Sequence, residues 1–375
     1  MKILLLGGTG TLSTDVLRLA INKGYDVSIL NRGHHNNDVP SCVKRLIADF
    51  KQVDSIIQAI CNENYDVVVD FLSRKKDDIE RVFPVFASRC HQYIFVSSSC
   101  VYERHSDELI TESAHKPNLD WSYNIEKYQC EQRLIELCKE GTAKCKYTII
   151  RPYITYNEKR IPFGLMPDYG KHWTLIGRLK ANKPFFVWND GDNYCTLTHT
   201  KDFAVGMVGL FMNTKAFNED FHITTNEYHT WNDVLEILKM TLHSTSDIVK
   251  IPQDAIIKEF PEYNGMLKGD RALHARFDIR KLKNAVPEYN PQISLKKGIE
   301  DVIQSYQAHN YYDGIDYIWD AKVDRLIANN SKYTPRYVAY IEDNTKQHFQ
   351  YIVYRYLHRD VVLRALRKLL RMIRV

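Results

Sequence analysis

Between an apolar run at residues 3–6 and the helically spaced set Leu12, Val16, Leu17, Leu19 and Ala20 stands Gly7-Gly8-Thr9-Gly10-Thr11-Leu12-Ser13. A glycine turn that leaves a strand and opens a helix constrains a fold more tightly than any composition. Gly7 permits the sharp reversal. Gly10 lets a pyrophosphate approach the backbone N–H groups at the helix N-terminus, where the unpaired amides favour an anion. Ser13 stands where a third glycine would allow close helix–strand packing, and it is small enough to keep most of it. Glycines alone are a weak signal, and an ordinary glycine-rich β–α turn is the rival reading. The strand before and the helix after favour a dinucleotide site. Gly7, Thr9, Gly10, Thr11 and Leu12 are then the expected cofactor contacts.

The alternation continues beyond this turn. Short apolar runs at 27–30, 43–47, 67–71, 93–96 and 147–150 are separated by helical stretches near 53–61, 79–87 and 123–138. Unbroken apolar strands alternating with helices indicate a parallel sheet covered on both faces. The sequence therefore predicts an α/β fold with a Rossmann-like, doubly wound parallel sheet over residues 1–155. A smaller α+β substrate lobe is expected over 156–330, with parts of 195–225 returning to the first domain. A C-terminal extension, 331–375, is expected to carry a basic amphipathic helix. A chain of 375 residues suits two domains with an appendage, and 44% hydrophobic content excludes a disordered chain. No stretch of about 18 apolar residues occurs, so no membrane-spanning helix is expected. The eight cysteines form no C-x-x-C pair and have no zinc-ligand spacing, so they read as reduced thiols of a cytoplasmic protein without a metal.

About 20 residues after the glycine turn, the second strand ends in Asn31-Arg32-Gly33, where an acidic residue would bind the ribose hydroxyls of NAD. Arg32 can pair with a 2′-phosphate, favouring NADP, or stack on an adenine, which NAD also carries. The expected cofactor is NADP or NAD. Farther along, Tyr123 and Lys127 lie four residues apart, on one helical face. Of 24 tyrosines, Tyr123 alone has a lysine at that interval. A nearby cation favours the tyrosinate and brings a phenol toward useful acid/base strength. Upstream, Ser97, Ser98 and Ser99 leave the strand at 93–96 and offer hydroxyls to a substrate oxygen. A surface helix pair beside a polar strand end is the plainer alternative.

The glycine turn, Val96-Ser97-Ser98-Ser99-Cys100-Val101-Tyr102, Tyr123-x3-Lys127 and Arg151-Pro152 together resemble the extended short-chain dehydrogenase/reductase family, also called the NAD-dependent epimerase/dehydratase family. The likeness spans about residues 1–325 and includes Thr198-His199-Thr200-Lys201-Asp202-Phe203-Ala204 and Phe277-Asp278-Ile279-Arg280-Lys281-Leu282. The resemblance implies Tyr123 as acid/base, Lys127 as the residue that holds the nicotinamide ribose and tunes Tyr123, and Ser98 as the catalytic hydroxyl. It also implies Asp49 near the adenine, Phe71 lining the cofactor cleft, and Pro152 and Tyr153 bordering the nicotinamide, beside the cofactor contacts expected of Asn31 and Arg32 from their place after the second strand.

Two departures narrow the implied chemistry. Family dehydratases place an acidic pair after the catalytic hydroxyl; here Ser99 and Cys100 stand there, and neither is a good general base. Hydride transfer at a carbinol or ketone of a nucleotide-activated sugar is the expected reaction, as an epimerase or reductase. The arginine that grips a diphosphate before the 198–199 segment is replaced by Cys195, so Lys268, Arg271 and Arg276, with Ser99, are the expected substrate contacts. A non-catalytic scaffold that binds RNA or senses the cofactor is the alternative. A homodimer is expected.

The charge is unevenly spread. Residues 346–375 hold eight basic residues against the single acid Asp360, a net +7 within a chain total of +5, so the remainder is slightly acidic at −2. Val362, Leu363, Leu366, Leu369, Leu370 and Ile373 share one helical arc and Arg364, Arg367, Lys368, Arg371 and Arg374 the opposite one. Such a helix suits peripheral contact with an anionic inner membrane surface, or packing within the protein or its oligomer, ahead of nucleic acid.

Overall fold

A computed structural model describes residues 1–34, 39–141, 144–167, 170–309, 314–340 and 345–357. Strand–helix alternation runs through its first part: β1 (Lys2–Leu6), α1 (Thr11–Asn22), β2 (Asp26–Asn31), β3 (Lys44–Ile47), α2 (Val53–Ile60), β4 (Tyr65–Asp70), α3 (Lys76–Phe86), β5 (Cys90–Val96), α4 (Ser122–Lys139) and β6 (Lys146–Pro152). With the later strand Glu219–Ile223 these form one seven-stranded sheet in the order Glu219–Ile223, β6, β5, β4, β1, β2, β3. Every pairing is parallel.

The period of two in β1 explains why both faces are buried. Ile3 and Leu5 join Val27, Ile29, Val67 and Val69 in one apolar layer, closed by Val16, Leu17 and Ala20 of α1. Leu4 and Leu6 join Leu30, Val68 and Phe95 in the other, closed by Ile56, Ile79, Val82, Phe83 and Leu134. Each such side chain contributes about 1.5–3 kcal/mol by leaving water, so the sheet's register is fixed from both sides.

The chain divides into two compact units: Met1–Asn157, Tyr194–His229 and Lys268–Gly298 form the first, and Glu158–Asn193, Thr230–Leu267 and Ile299–Val375 the second. Residues 268–298, assigned by the sequence to the second lobe, therefore belong with the sheet. The reason is apolar: Leu282, Val286 and Tyr289 complete the layer over α1, and the Tyr289 hydroxyl donates to the Thr224 carbonyl at 2.8 Å. Asp202 accepts the N–H groups of Gln292 (3.1 Å) and Ile293 (3.0 Å), fastening the same segment.

In the second unit, strand Phe185–Trp188 pairs in parallel with Ile248–Ile251. Phe163 packs its ring against Phe185, Trp188 and Trp231. Helix Trp173–Lys180 brings Arg178 onto Asp320 and Asp324 of helix Tyr317–Asn330, and Lys183 contacts the same two carboxylates. Helix Thr345–Tyr356 adds Tyr351, whose hydroxyl donates to Asp324. The expected basic amphipathic helix falls mostly on residues 358–375, which lie outside the described residues.

The sheet order sets where chemistry can occur. From β1 the chain winds outward through β2 and β3, then returns to build β4, β5 and β6 on the other side. The switch point of this order lies at the carboxyl ends of β1 and β4, where such sheets bind ligands.

Candidate active site

Gly7 and Gly8 leave β1 with φ of +114° and +95°, a region that glycine enters freely. At Gly8 there is also no room for another residue: a Cβ would lie 2.6 Å from Ile29 Cγ2. Gly10 caps α1 and is exposed, while Thr9, Thr11 and Leu12 are half-buried. Ser13 does more than replace a small residue. Its hydroxyl accepts the Gly10 N–H at 2.9 Å and donates to the Gly10 carbonyl at 3.3 Å, holding the turn from inside the helix. A glycine turn fixed in this way, open toward the N-terminus of a twelve-residue helix, fits a dinucleotide diphosphate.

The other expected cofactor residues lie at the same edge of the sheet. Asn31 ends β2 and accepts the Gly33 N–H at 2.8 Å, leaving Arg32 exposed at the tip. Asp49, just past β3, accepts the Lys51 N–H at 3.0 Å. Phe71 follows β4 and donates its N–H to the Leu6 carbonyl at 3.2 Å, next to Gly7. Pro152 ends β6, and Tyr153 follows it, buried against Phe277 with ring centroids 5.2 Å apart.

Ser98 leaves β5, and its Oγ accepts the Cys100 N–H at 3.2 Å. It also acts on the phenol of Tyr123, on the first turn of α4, favouring the phenolate. Burial pushes the Tyr123 phenol up to about 12, reinforced by Cys100 and opposed by Ser98, Arg74 and Arg271. One turn on, Lys127 is 4% exposed. Its Nζ donates to the carbonyls of Ser73 (2.8 Å) and Val96 (2.9 Å), and burial draws its pKa down. Arg74 and Arg271 are the cations whose charge bears most on the phenol, and Lys127 is anchored to carbonyls past β4 and at the end of β5.

A buried network steadies this arrangement. Ser97 Oγ donates to Glu131 on α4, and Arg151 of β6 makes a two-pronged contact to the same carboxylate at 2.9 and 2.7 Å. Arg151 Nη1 also donates to the Tyr102 hydroxyl at 2.9 Å. The strand end that carries Ser98 and the helix that carries Tyr123 are therefore clamped together.

The expected substrate residues divide. Ser99 is fully buried and spends its hydroxyl on the Arg151 carbonyl at 2.7 Å, so it does not face a substrate; this expectation is overturned. Lys268 is exposed, and Arg276 is drawn onto Asp107 with its guanidinium 4.7 Å from the Tyr194 ring centroid, so neither joins the Tyr123 group. Arg271 does: it is buried, bears on the Tyr123 phenol, and lies 5.9 Å from the Tyr153 ring centroid.

Sequence reasoning missed three residues here. Gly269 presses against α4, where a Cβ would come 2.6 Å from that of Trp121. Its carbonyl accepts from Asn118 (2.8 Å) and Asn124 (3.2 Å), tying residues 268–271 to the helix that carries Tyr123. Arg104 and Asp270 form a buried ion pair beside it. No spacing in the sequence signals this pairing, because its partners lie 166 residues apart.

The pattern of the NAD dependent epimerase/dehydratase family matches residues 3–223. The chain is similar to the chloroplast stem-loop binding protein of 41 kDa b of Arabidopsis thaliana, 24% identical, with 80% of this chain and 78% of that one covered. It is also similar to the 2′-dehydrokanamycin reductase of Streptomyces kanamyceticus, 20% identical over 77% of this chain and 80% of that one. In fold it resembles a UDP-glucuronic acid 4-epimerase of Bacillus cereus solved with NAD, at 17% identity and a TM-score of 0.62, covering 83% of this chain and all of that one.

Proposed function

The chain belongs to the NAD dependent epimerase/dehydratase family, and from that premise we propose that it transfers hydride at a carbinol or ketone carbon of a nucleotide-activated sugar, with Tyr123 moving the proton. Gly7, Thr9, Gly10, Thr11, Leu12, Asn31, Arg32, Asp49, Phe71, Lys127, Pro152 and Tyr153 hold the dinucleotide, which supplies the hydride donor or acceptor when bound. The observation that carries this reading is the placement of Ser98 just past β5 and Tyr123 on the first turn of α4, where Ser98 acts on the phenol, with Lys127 buried one turn on and donating to the Val96 carbonyl at the end of β5.

A phenol raised to about 12 holds its proton at neutral pH, so Tyr123 begins as a proton donor. In the reducing direction its Oη proton passes to the substrate carbonyl oxygen as the carbon gains hydride. Ser98 orients that oxygen and, with Arg74 and Arg271, stabilises the phenolate left behind. In the oxidising direction the same groups run in reverse. Ser99 and Cys100, standing where family dehydratases carry acids, leave elimination of water without a base.

The test is mass spectrometry of the dinucleotide and small molecules that co-purify. Retained NAD with turnover that needs no net redox change indicates epimerisation. Freely exchanged NADPH indicates reduction, and Arg32→Ala should then raise KM for NADPH more than for NADH. Turnover that needs neither dinucleotide would contradict the proposal. The stem-loop binding relative supports a second reading, an RNA-binding scaffold; for it, gel shifts with stem-loop RNA should survive Tyr123→Phe.

The proposal extends to the C-terminal extension. Among the described residues no helix is long and apolar enough to cross a membrane. Helix Thr345–Tyr356 nonetheless exposes Phe349, Ile352 and Tyr356, and the sequence beyond it is strongly basic. We assign this segment to peripheral contact with an anionic membrane surface, in a homodimeric protein. Co-sedimentation with phosphatidylglycerol vesicles should be lost on deleting 346–375, and unchanged pelleting would contradict it; light scattering gives the oligomeric state.

A further inference from the structure

Arg104 is 5% exposed, and its guanidinium is only partly used. Nη2 contacts the Asp270 carboxylate and the Gly269 carbonyl, while Nη1 and Nε are buried without a partner. The face of this guanidinium lies 5.6 Å from the Tyr153 ring centroid, and the Arg271 guanidinium lies 5.9 Å from the same centroid. The Tyr153 hydroxyl is itself buried and unpartnered. Two unused guanidinium donors therefore stand over the Tyr153 ring, and a third unused donor is that ring's own hydroxyl.

These donors belong beside the reacting group. The Gly269 carbonyl that accepts from Arg104 also accepts from Asn124, the residue after Tyr123, and Arg271 bears on both the Tyr123 and the Tyr153 phenols. Buried donors without acceptors are costly, more so on a charged group, and native structures rarely tolerate them unless a ligand completes the site. Arginine's planar fork matches the two oxygens of a carboxylate or the edge of a phosphate. Asp270 fixes one prong of Arg104 and leaves the rest directed at a guest.

We propose that Arg104, with the Tyr153 hydroxyl, binds an oxyanion carried by the substrate, a carboxylate or a phosphate. Arg104 and Tyr153 would select a charged sugar over a neutral one. This rests on the reading of Tyr123 as the reacting centre for its position, but not for its test. Arg104 is a specificity-determining residue here, with no part in the proton transfer.

The experiment is calorimetric titration of the full chain, saturated with NAD, against D-glucuronate, glucose 1-phosphate, inorganic phosphate and glucose. Wild type should bind one or more of the anions and discriminate against glucose. Glucuronate binding identifies a carboxylate, and binding of the two phosphates identifies a phosphoryl group. Arg104→Met should weaken the anion about ten- to hundredfold while NAD affinity stays unchanged. Arg104→Lys, which keeps the charge but not the fork, should fall between. Tyr153→Phe leaves the ion pair intact, covers the case in which Arg104→Met fails to fold, and should weaken the anion several-fold. A wild type that binds none of the anions, or variants that bind them as tightly as wild type, would overturn the proposal. Failure of the Tyr123 reading would show instead as turnover that survives Tyr123→Phe, with these isotherms unaffected.

Discussion

Two buried ionic clusters, one in each unit, are built from the same residue types and left in different states. In the second unit all four oxygens of Asp320 and Asp324 are engaged. Arg178 and Lys183 bridge the pair, and the hydroxyls of Tyr340 and Tyr351 close it. Burial works against the Asp320 charge, yet Arg178 and Lys183 outweigh it and hold its carboxyl below the ordinary range. In the first unit Arg104, Asp270 and Arg271 are equally buried, but Arg104 keeps two donors and Tyr153 its hydroxyl unspent. A closed cluster joins helices. An open one waits for a ligand. Arg178 keeps only Nε buried and unpartnered, whereas Arg104 keeps both Nε and Nη1 and Tyr153 its hydroxyl; the extent of unspent donors, rather than burial or charge, distinguishes the structural cluster from the functional one.

The largest expected effect breaks the closed cluster. Asp324→Ala leaves Lys183 and Arg178 facing one carboxylate in a dry interior and should cost about 3–5 kcal/mol in the second unit, read as a lower urea midpoint. If it cost less than 1 kcal/mol, the two clusters would not differ as claimed.

A smaller, pH-dependent effect belongs to the first unit. Burial raises the Glu112 carboxyl to about 7, while burial lowers the His222 imidazole beside it to about 4. A carboxyl whose folded pKa is raised stabilises the fold below its unfolded value, and that contribution is lost as pH rises through the folded value. Wild type should therefore lose up to about 3 kcal/mol between pH 4.5 and 7.5 relative to Glu112→Gln. His222 acts in the opposite sense, its stabilisation being present above pH 6.5 and lost as pH falls toward 4. Parallel Tm–pH curves for wild type and Glu112→Gln would contradict the assignment.

Gly8→Ala should cost about 1–3 kcal/mol, because φ of +95° and the 2.6 Å approach to Ile29 both oppose a Cβ, and it should weaken NAD binding as the turn shifts. Smallest of all, Tyr340→Phe removes one of several bonds to Asp320 and should lower stability by about 1 kcal/mol. A larger loss would mean that the closed cluster depends on its tyrosines more than on its ion pairs.

The two units were also unequally legible in the sequence. The sheet was readable because its strands are unbroken apolar runs and its turns carry glycine, both local signals. Ser98, Tyr123 and Lys127 were readable because the last two share a helical face and the first leaves a strand. Ser99 was misjudged because its neighbour across the sheet edge, Arg151, takes its hydroxyl, and adjacency in sequence does not reveal this. Arg104–Asp270 and Lys183–Asp324 were invisible, each pairing across more than 130 residues. Likewise, the return of 268–298 to the sheet depends on Leu282, Val286 and Tyr289 filling a layer begun 280 residues earlier by Ile3.

The central claim is that Tyr123, acting with Ser98 beside the open cluster, moves the proton. The direct measurement is steady-state turnover of Tyr123→Phe on the substrate identified by co-purification, alongside NAD binding by calorimetry. Turnover should fall by about 10²–10⁴-fold while NAD affinity stays within a factor of two. Turnover that persists at the wild-type rate, with NAD still bound, would contradict the account.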